Sequence, residues 1–260
     1  MRRFVQVLAA VVLAATSILA LPAPHADAVI VPTTRPAVWR NGVWFLRNTL
    51  TSGAADISFH FGNPQGDFPM MCDWDGNGSR TPGVVRNGVW FITNTVPPST
   101  VTSFGYGNPG DFPVCGDWDN NGSETPGVIR GSGGGMWFFT DTLGGAPSHT
   151  FSYGDGAHDF PVMGDWDGTG GTSQGVARDD GSWFLRNTLT SGFADVSMHY
   201  GDPNIDFPIA GDWDNNGTDT VGVFRETNGQ WLLRNSNDSG VSDTAFTYGS
   251  PGDFPLVWSA

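Results

Sequence analysis

Asp111-Phe112-Pro113-Val114-Cys115-Gly116-Asp117-Trp118-Asp119-Asn120-Asn121-Gly122-Ser123-Glu124-Thr125-Pro126-Gly127-Val128-Ile129-Arg130 reads as an apolar strand, an acidic turn and a second apolar strand. The arrangement recurs along the chain. Its centre appears as Cys72-Asp73-Trp74-Asp75-Gly76-Asn77-Gly78, Gly164-Asp165-Trp166-Asp167-Gly168-Thr169-Gly170 and Gly211-Asp212-Trp213-Asp214-Asn215-Asn216-Gly217. The turn tryptophans stand 44, 48 and 47 residues apart. Asp-Phe-Pro precedes each copy, opening at Asp67, Asp111, Asp159 and Asp206, and Gly-Val-x-Arg follows, closing at Arg86, Arg130, Arg178 and Arg225. Next come Trp90, Trp137, Trp183 and Trp231, then an alternating segment ending in Phe-Gly or Tyr-Gly. Each copy is four short strands separated by Gly, Pro, Asn and Asp turns. Four strands in 40–50 residues is the period of a propeller blade.

The chain ends set the number of blades. Ala37-Val38-Trp39-Arg40, Trp44-Phe45-Leu46-Arg47 and Ile57–Gly62 are strands two, three and four of a blade without strand one. Asp253-Phe254-Pro255-Leu256-Val257-Trp258 is a strand one without the rest. Joined, they complete a fifth blade and remove an exposed sheet edge. The expected fold is therefore all-β, a five-bladed β-propeller of four-stranded antiparallel blades. Its N- and C-terminal strands close the ring in one blade. The blades span 36–62 with 253–258, then 67–107, 111–154, 159–201 and 206–249.

Residues 1–28 read as a signal peptide: Met1-Arg2-Arg3, an apolar run from Phe4 to Leu21, and Ala26-Asp27-Ala28 as the cleavage pattern. The expectation is a secreted, extracellular domain over 29–260, with no membrane insertion after cleavage. The formal net charge is −14, and the chain has no Lys. That field repels nucleic acid and attracts cations. The abundance of Trp and Phe excludes a disordered chain.

Tyr106-Gly107-Asn108-Pro109-Gly110-Asp111-Phe112-Pro113, followed by Gly116-Asp117-Trp118-Asp119, resembles the FG-GAP or VCBS-like repeats of integrin α-subunit propellers and of secreted bacterial proteins. The resemblance covers nearly all of 29–260. It implies a propeller with Ca²⁺ in its Asp-rich loops, at cell surfaces, in adhesion and glycan binding, or as an accessory domain of secreted enzymes. Integrin propellers have seven blades, so the likeness is one of repeats.

Ca²⁺ takes six to eight oxygens, several of them carboxylates, on a backbone curled around the ion. Asp at loop positions 1 and 3 and an oxygen at 5 offer part of that set. The candidate ligands are Asp73, Asp75 and Asn77; Asp117, Asp119 and Asn121; Asp165, Asp167 and Thr169; Asp212, Asp214 and Asn216. The family carries a further Asp at position 9, where this chain has Thr81, Thr125, Ser173 and Thr220. Two sure carboxylates per loop predict weak affinity, with Kd on the order of 0.1–1 mM. Position 8 grades the loops by charge: Asp219 and Glu124 favour the ion, Thr172 is neutral and Arg80 repels it. An Asx-turn without metal is the other reading of these loops.

The repeated tryptophans read as core, and Trp39 and Trp258, which break the repeat, as candidates for a special role. One Asp opens strand one and one Arg closes strand two in all five blades, which suggests five Asp–Arg pairs. Cys72 and Cys115 sit one position apart in equivalent strands and so face opposite ways, toward each other across a blade junction. Either a disulfide or two buried thiols follows. His60, His149, His158 and His199 show no metal-ligand spacing, and His60 and His199 read as exposed. No catalytic constellation stands out, so the expectation is a non-enzymatic module for recognition or adhesion that meets a glycan or a surface protein. The alternatives are a polysaccharide-active hydrolase and a purely structural extracellular domain.

Overall fold

The computed structural model describes residues 34–131 and 135–260, so the signal-peptide reading of 1–28 lies outside the described residues. The fold is an all-β, five-bladed propeller. The first blade orders β20 (Phe254–Trp258), β1 (Arg35–Arg40), β2 (Val43–Leu46) and β3 (Ile57–His60). The second comprises β4 (Phe68–Cys72), β5 (Thr81–Arg86), β6 (Val89–Ile92) and β7 (Thr102–Gly105). In the third are β8 (Phe112–Gly116), β9 (Thr125–Arg130), β10 (Met136–Phe139) and β11 (His149–Ser152). The fourth holds β12 (Asp159–Gly164), β13 (Ser173–Arg178), β14 (Ser182–Leu185) and β15 (Val196–His199). The fifth holds β16 (Asp206–Gly211), β17 (Thr220–Arg225), β18 (Gln230–Leu233) and β19 (Thr244–Thr247). Every pairing is antiparallel.

Termini meet where the sequence placed them: β20 pairs with β1, Ala37 opposite Leu256 and Val38 opposite Pro255. The innermost strands β4, β8, β12, β16 and β20 contact one another in a closed circle. Phe68, Phe112, Phe160, Phe207 and Phe254 sit at their starts and pack edge to face around the axis, with centroids 4.7–5.3 Å apart. Aromatic pairs favour that geometry over a flat sandwich. Five such contacts in a circle hold one end of the axial channel together. Behind the Phe circle lies a largely apolar cavity of about 170 Å³, with Arg80 and Thr172 at its far end. Among the described residues, no helix is long and apolar enough to cross a membrane.

Two tryptophan sets make the core between blades. Trp44, Trp90, Trp137, Trp183 and Trp231 on the third strands are at most 1% exposed. Each indole N–H donates to the carbonyl after strand four, as Trp90 does to Tyr106 O at 3.0 Å. Turn residues Trp74, Trp118, Trp166 and Trp213 are also buried, their indole N–H groups donating to the start of strand two. The strand-two glycines make room for them: a Cβ on Gly83 would stand 2.8 Å from the Trp74 ring. The first blade has no acidic turn and carries Ala37 at that place, and Trp258 supplies the missing ring. Trp258 is thus core rather than special, 2% exposed, with its N–H on Arg47 O. Trp39 is half-buried against the same cluster, and its indole N–H has no partner.

Candidate functional site: acidic loops and inter-blade clefts

The four acidic loops leave strand one at its far end from the Phe circle. Position 4 takes a left-handed backbone, as Gly76 (φ 72°), Asn120 (56°), Gly168 (69°) and Asn215 (58°), a conformation open only to Gly and tolerated by Asn. The curl brings the N–H groups of positions 5 and 6 onto the position-1 carboxylate. Asp73 accepts from Asn77 and Gly78 at 3.0 and 2.7 Å. Asp117 accepts from Asn121 and Gly122, Asp165 from Thr169 and Gly170, Asp212 from Asn216 and Gly217. Position 5 is engaged too: Asn77, Asn121 and Asn216 accept the N–H two residues on, and the Thr169 hydroxyl donates to Asp167.

In two loops the first and third carboxylates share one site. Burial lifts the Asp117 carboxyl above its ordinary range, and the Asp119 carboxylate adds to the lift, against the pull of the Gly122 and Asn121 N–H groups. Asp165 is lifted in the same way by burial and by Asp167. Two crowded carboxylates with lone pairs to spare fit a hard divalent ion, although most of its oxygens would have to come from backbone or water. The acids at positions 1 and 3 are the residues that would hold such an ion. The position-9 hydroxyls of Thr81, Thr125, Ser173 and Thr220 turn inward, onto the carbonyl that ends strand one.

Position 8 does not serve its own loop. Glu124 donates its N–H to Asp73 O and accepts the Asp73 N–H on its carboxylate, both across the junction to the preceding blade. Thr172 donates its N–H to Asp117 O and accepts the Asp117 N–H on its hydroxyl, Asp219 pairs with Asp165 as Glu124 does with Asp73, and Thr34 accepts from Asp212 N–H. The grading of loops by their own position 8 is corrected accordingly: the Glu124 charge belongs beside loop one, and that of Asp219 beside loop three. Arg80 bonds Glu124 at 2.6 Å, so its charge is matched rather than left to repel an ion. Burial pushes the Asp219 carboxyl up to about 6, opposed by the charge of Arg80.

At the other end, the five Asp–Arg pairs are present, with contacts of 2.5–2.8 Å. Each Asp also accepts a backbone N–H three or four residues upstream, as Asp111 does from Asn108. Arg40, Arg86, Arg130 and Arg178 lie over Phe45, Phe91, Phe138 and Phe184. These ions are structural. Cys72 and Cys115 are joined as a disulfide across the second junction, with Cα atoms 6.4 Å apart. Glu124 lies beside the two sulfurs, and their bond to each other rules that trio out as a metal site. His60 and His199 are exposed; His158 bonds Asp179 at 2.7 Å and His149 bonds Asp141 at 3.2 Å.

Between blades, beside the Asp–Arg pairs, lie clefts that repeat. One of about 240 Å³ runs between Phe160, Tyr200, Asp202 and Phe207. Its counterpart of about 260 Å³ has Phe68, Tyr106, Asn108 and Phe112 at the same repeat positions. Two more open outward, one of about 400 Å³ on Tyr106 and Arg130, the other of about 170 Å³ on Tyr248 and Arg40. Four tyrosines at one repeat position, Tyr106, Tyr153, Tyr200 and Tyr248, are 4–8% exposed, and all four hydroxyls are buried without a partner. Burial pushes the first three up to about 12. Sequence reasoning passed over them as the end of strand four. The available signal was Phe61-Gly62 in the first blade against Tyr-Gly in the others. No protein-family model matches the chain, and no curated protein matches it.

Proposed function

We propose that this chain is a secreted recognition module of the FG-GAP or VCBS-like kind, a stiff ring that offers one type of cleft at several blade junctions and holds Ca²⁺ weakly in loops at the opposite end. The observation that carries the reading is the repetition of cleft lining at two separate junctions, Tyr106 and Phe112 matching Tyr200 and Phe207. Repeated shallow sites suit a multivalent glycan or surface protein, since simultaneous engagement multiplies weak affinities. Calcium is supported by the paired carboxylates of Asp117 with Asp119 and Asp165 with Asp167. Secretion is supported by the basic, apolar and small-residue order of residues 1–28. No reaction is proposed: the Asp of each Asp–Arg pair and the first Asp of each loop recur from blade to blade, while Glu124 and Asp219, which do not recur, are engaged by Arg80 and by the backbone of the preceding blade.

The test is a glycan array run with calcium and with EDTA, in parallel with thermal melts. Binding that appears on the array supports the module, and an array blank in both conditions sinks its lectin form. Calcium at 10 mM, about twenty times a Kd of 0.5 mM, stabilises by about 1.8 kcal/mol per occupied loop. A melting temperature indifferent to EDTA and to calcium removes the ion from the account.

A further inference from the structure

We infer that the axial cavity behind the Phe circle is a binding site for one small, neutral, largely apolar molecule, whose single oxygen acceptor is read by Arg80. The volume, about 170 Å³, sets the size of the occupant. A dry apolar cavity of roughly 150 Å³ takes a benzene ring. The wall includes Met71, Cys115, Met163, Ala210 and Val257, which share one repeat position on the inner strands. The core repeats tryptophan for tryptophan, yet these wall residues change from blade to blade. Position 8 changes likewise, as Thr34, Arg80, Glu124, Thr172 and Asp219. Its side chains lie at the loop end of the inner strands: a Cβ on Gly116 would stand 2.6 Å from Thr172, and one on Gly164 3.0 Å from Asp219. A lining that departs from the repeat makes one asymmetric pocket rather than five equal notches, and a mostly apolar pocket with few polar groups is the common form of a small-molecule site.

Arg80 supplies the polar end. Its Nε and Nη2 groups donate to Glu124 Oε1 at 3.1 and 2.6 Å. A guanidinium has five N–H donors, so three remain without a hydrogen bond to the described residues. The side chain stays 26% accessible and forms part of the cavity wall beside Thr172. An acceptor arriving with a ligand engages these spare donors. Charge narrows the class further. Glu124 bonds Arg80 directly, and the Asp219 carboxylate, on the fifth blade, also acts on it. Two acids against one base disfavour a carboxylate or phosphate, and N–H groups in the wall disfavour an ammonium. A carbonyl oxygen on a ring-sized apolar body suits both the donors and the volume.

Four probes of similar shape separate these possibilities: acetophenone, ethylbenzene, benzoate and benzylamine. Crystals of the protein soaked in each give the place, and calorimetric titrations at pH 8, above the Asp219 value of about 6, give the affinity. Acetophenone is expected in the axial cavity with its oxygen on Arg80, on the order of tenfold tighter than ethylbenzene, with both charged probes absent. Arg80→Met combined with Glu124→Gln removes the donors, keeps an acceptor for the Asp73 N–H and brings acetophenone down to the level of ethylbenzene. Ala210→Leu fills the cavity and abolishes binding of both, with Val257→Phe in its place if that variant fails to fold. Equal affinity for acetophenone and ethylbenzene in the unaltered protein overturns the inference. So does a charged probe in the cavity, a probe seated only elsewhere, or water alone in all four soaks. None of these outcomes touches the recognition reading, whose array and calcium melts address the clefts and the acidic loops.

Discussion

Asp111 and Asp117 stand six residues apart on one strand and its turn, and both side chains are nearly buried, yet their acidities move in opposite directions. Arg130 bonds the Asp111 carboxylate and holds it below the ordinary range, with help from the Asn108 N–H. Asp117 has no basic partner, so burial and Asp119 lift it. The linkage for Asp111 has a definite sign. A carboxyl whose acidity constant is lowered by folding binds fewer protons in the native state than in the unfolded one. It stabilises the protein fully above the unfolded pKa of about 4, and that contribution disappears as pH falls through the depressed folded value. Asp111→Asn therefore costs about 1.5–3 kcal/mol at pH 7, where a charge-assisted hydrogen bond is lost. The cost shrinks on acidification below pH 4, as the wild-type carboxyl takes up a proton. Urea melts of both proteins at pH 7 and at pH 3 check this, and a gap that stays constant would mean the Arg130 pair contributes nothing.

Among the elements, β20 carries the most consequence per residue. It is five residues long, pairs with β1 and brings Trp258 into the first blade, where no acidic turn exists to supply a tryptophan. Trp258→Ala leaves a cavity against Ala37, Leu46 and Trp44, at a cost of about 3–5 kcal/mol. A chain ending at Gly252 loses the strand, the Asp253–Arg40 pair and one member of the Phe circle together. That truncation is expected to melt without a cooperative transition, and a sharp melt near the wild-type temperature would show that the ring closes without its last strand. The sequence made β20 legible because a strand one at one end and strands two to four at the other complete a unit already seen four times. The Asp–Arg pairs were legible for the same reason, one of each per blade. Position 8 was not. Glu124, Thr172 and Asp219 act on the blade before their own, and a repeat alignment orders residues within blades while saying nothing of what faces what across a junction. The tyrosine hydroxyls were hidden similarly, since Tyr-Gly and Phe-Gly end a strand equally well and differ only in what the neighbouring blade leaves unpaired.

Across the whole molecule, five sheets meet only along their faces, so resistance to opening depends on what crosses the junctions. Side-chain latches do so at the loop end, Phe68 and its counterparts at the axis, and at the rim Ser52, Ser191 and Ser239 accept the outer-strand N–H groups of Thr247, Ser152 and His199 in the preceding blade. The Cys72–Cys115 bond is the covalent member of this set, joining the inner strands β4 and β8. Its sequence separation is 43 residues, which spans one blade repeat. A closed loop of that length removes unfolded-state entropy equivalent to about 4 kcal/mol at 25 °C. At the size of this domain, each kcal/mol moves the melting temperature by about 2–4 °C. Replacing both cysteines with serine is therefore expected to lower it by about 8–16 °C while leaving the far-ultraviolet spectrum unchanged, because the strands on either side are still held by their own sheets. The wild-type protein in reductant should melt with the double variant, and an intact mass unaltered by alkylation without reductant should confirm the bond. If oxidised and reduced proteins melt together, the noncovalent latches alone hold the second junction.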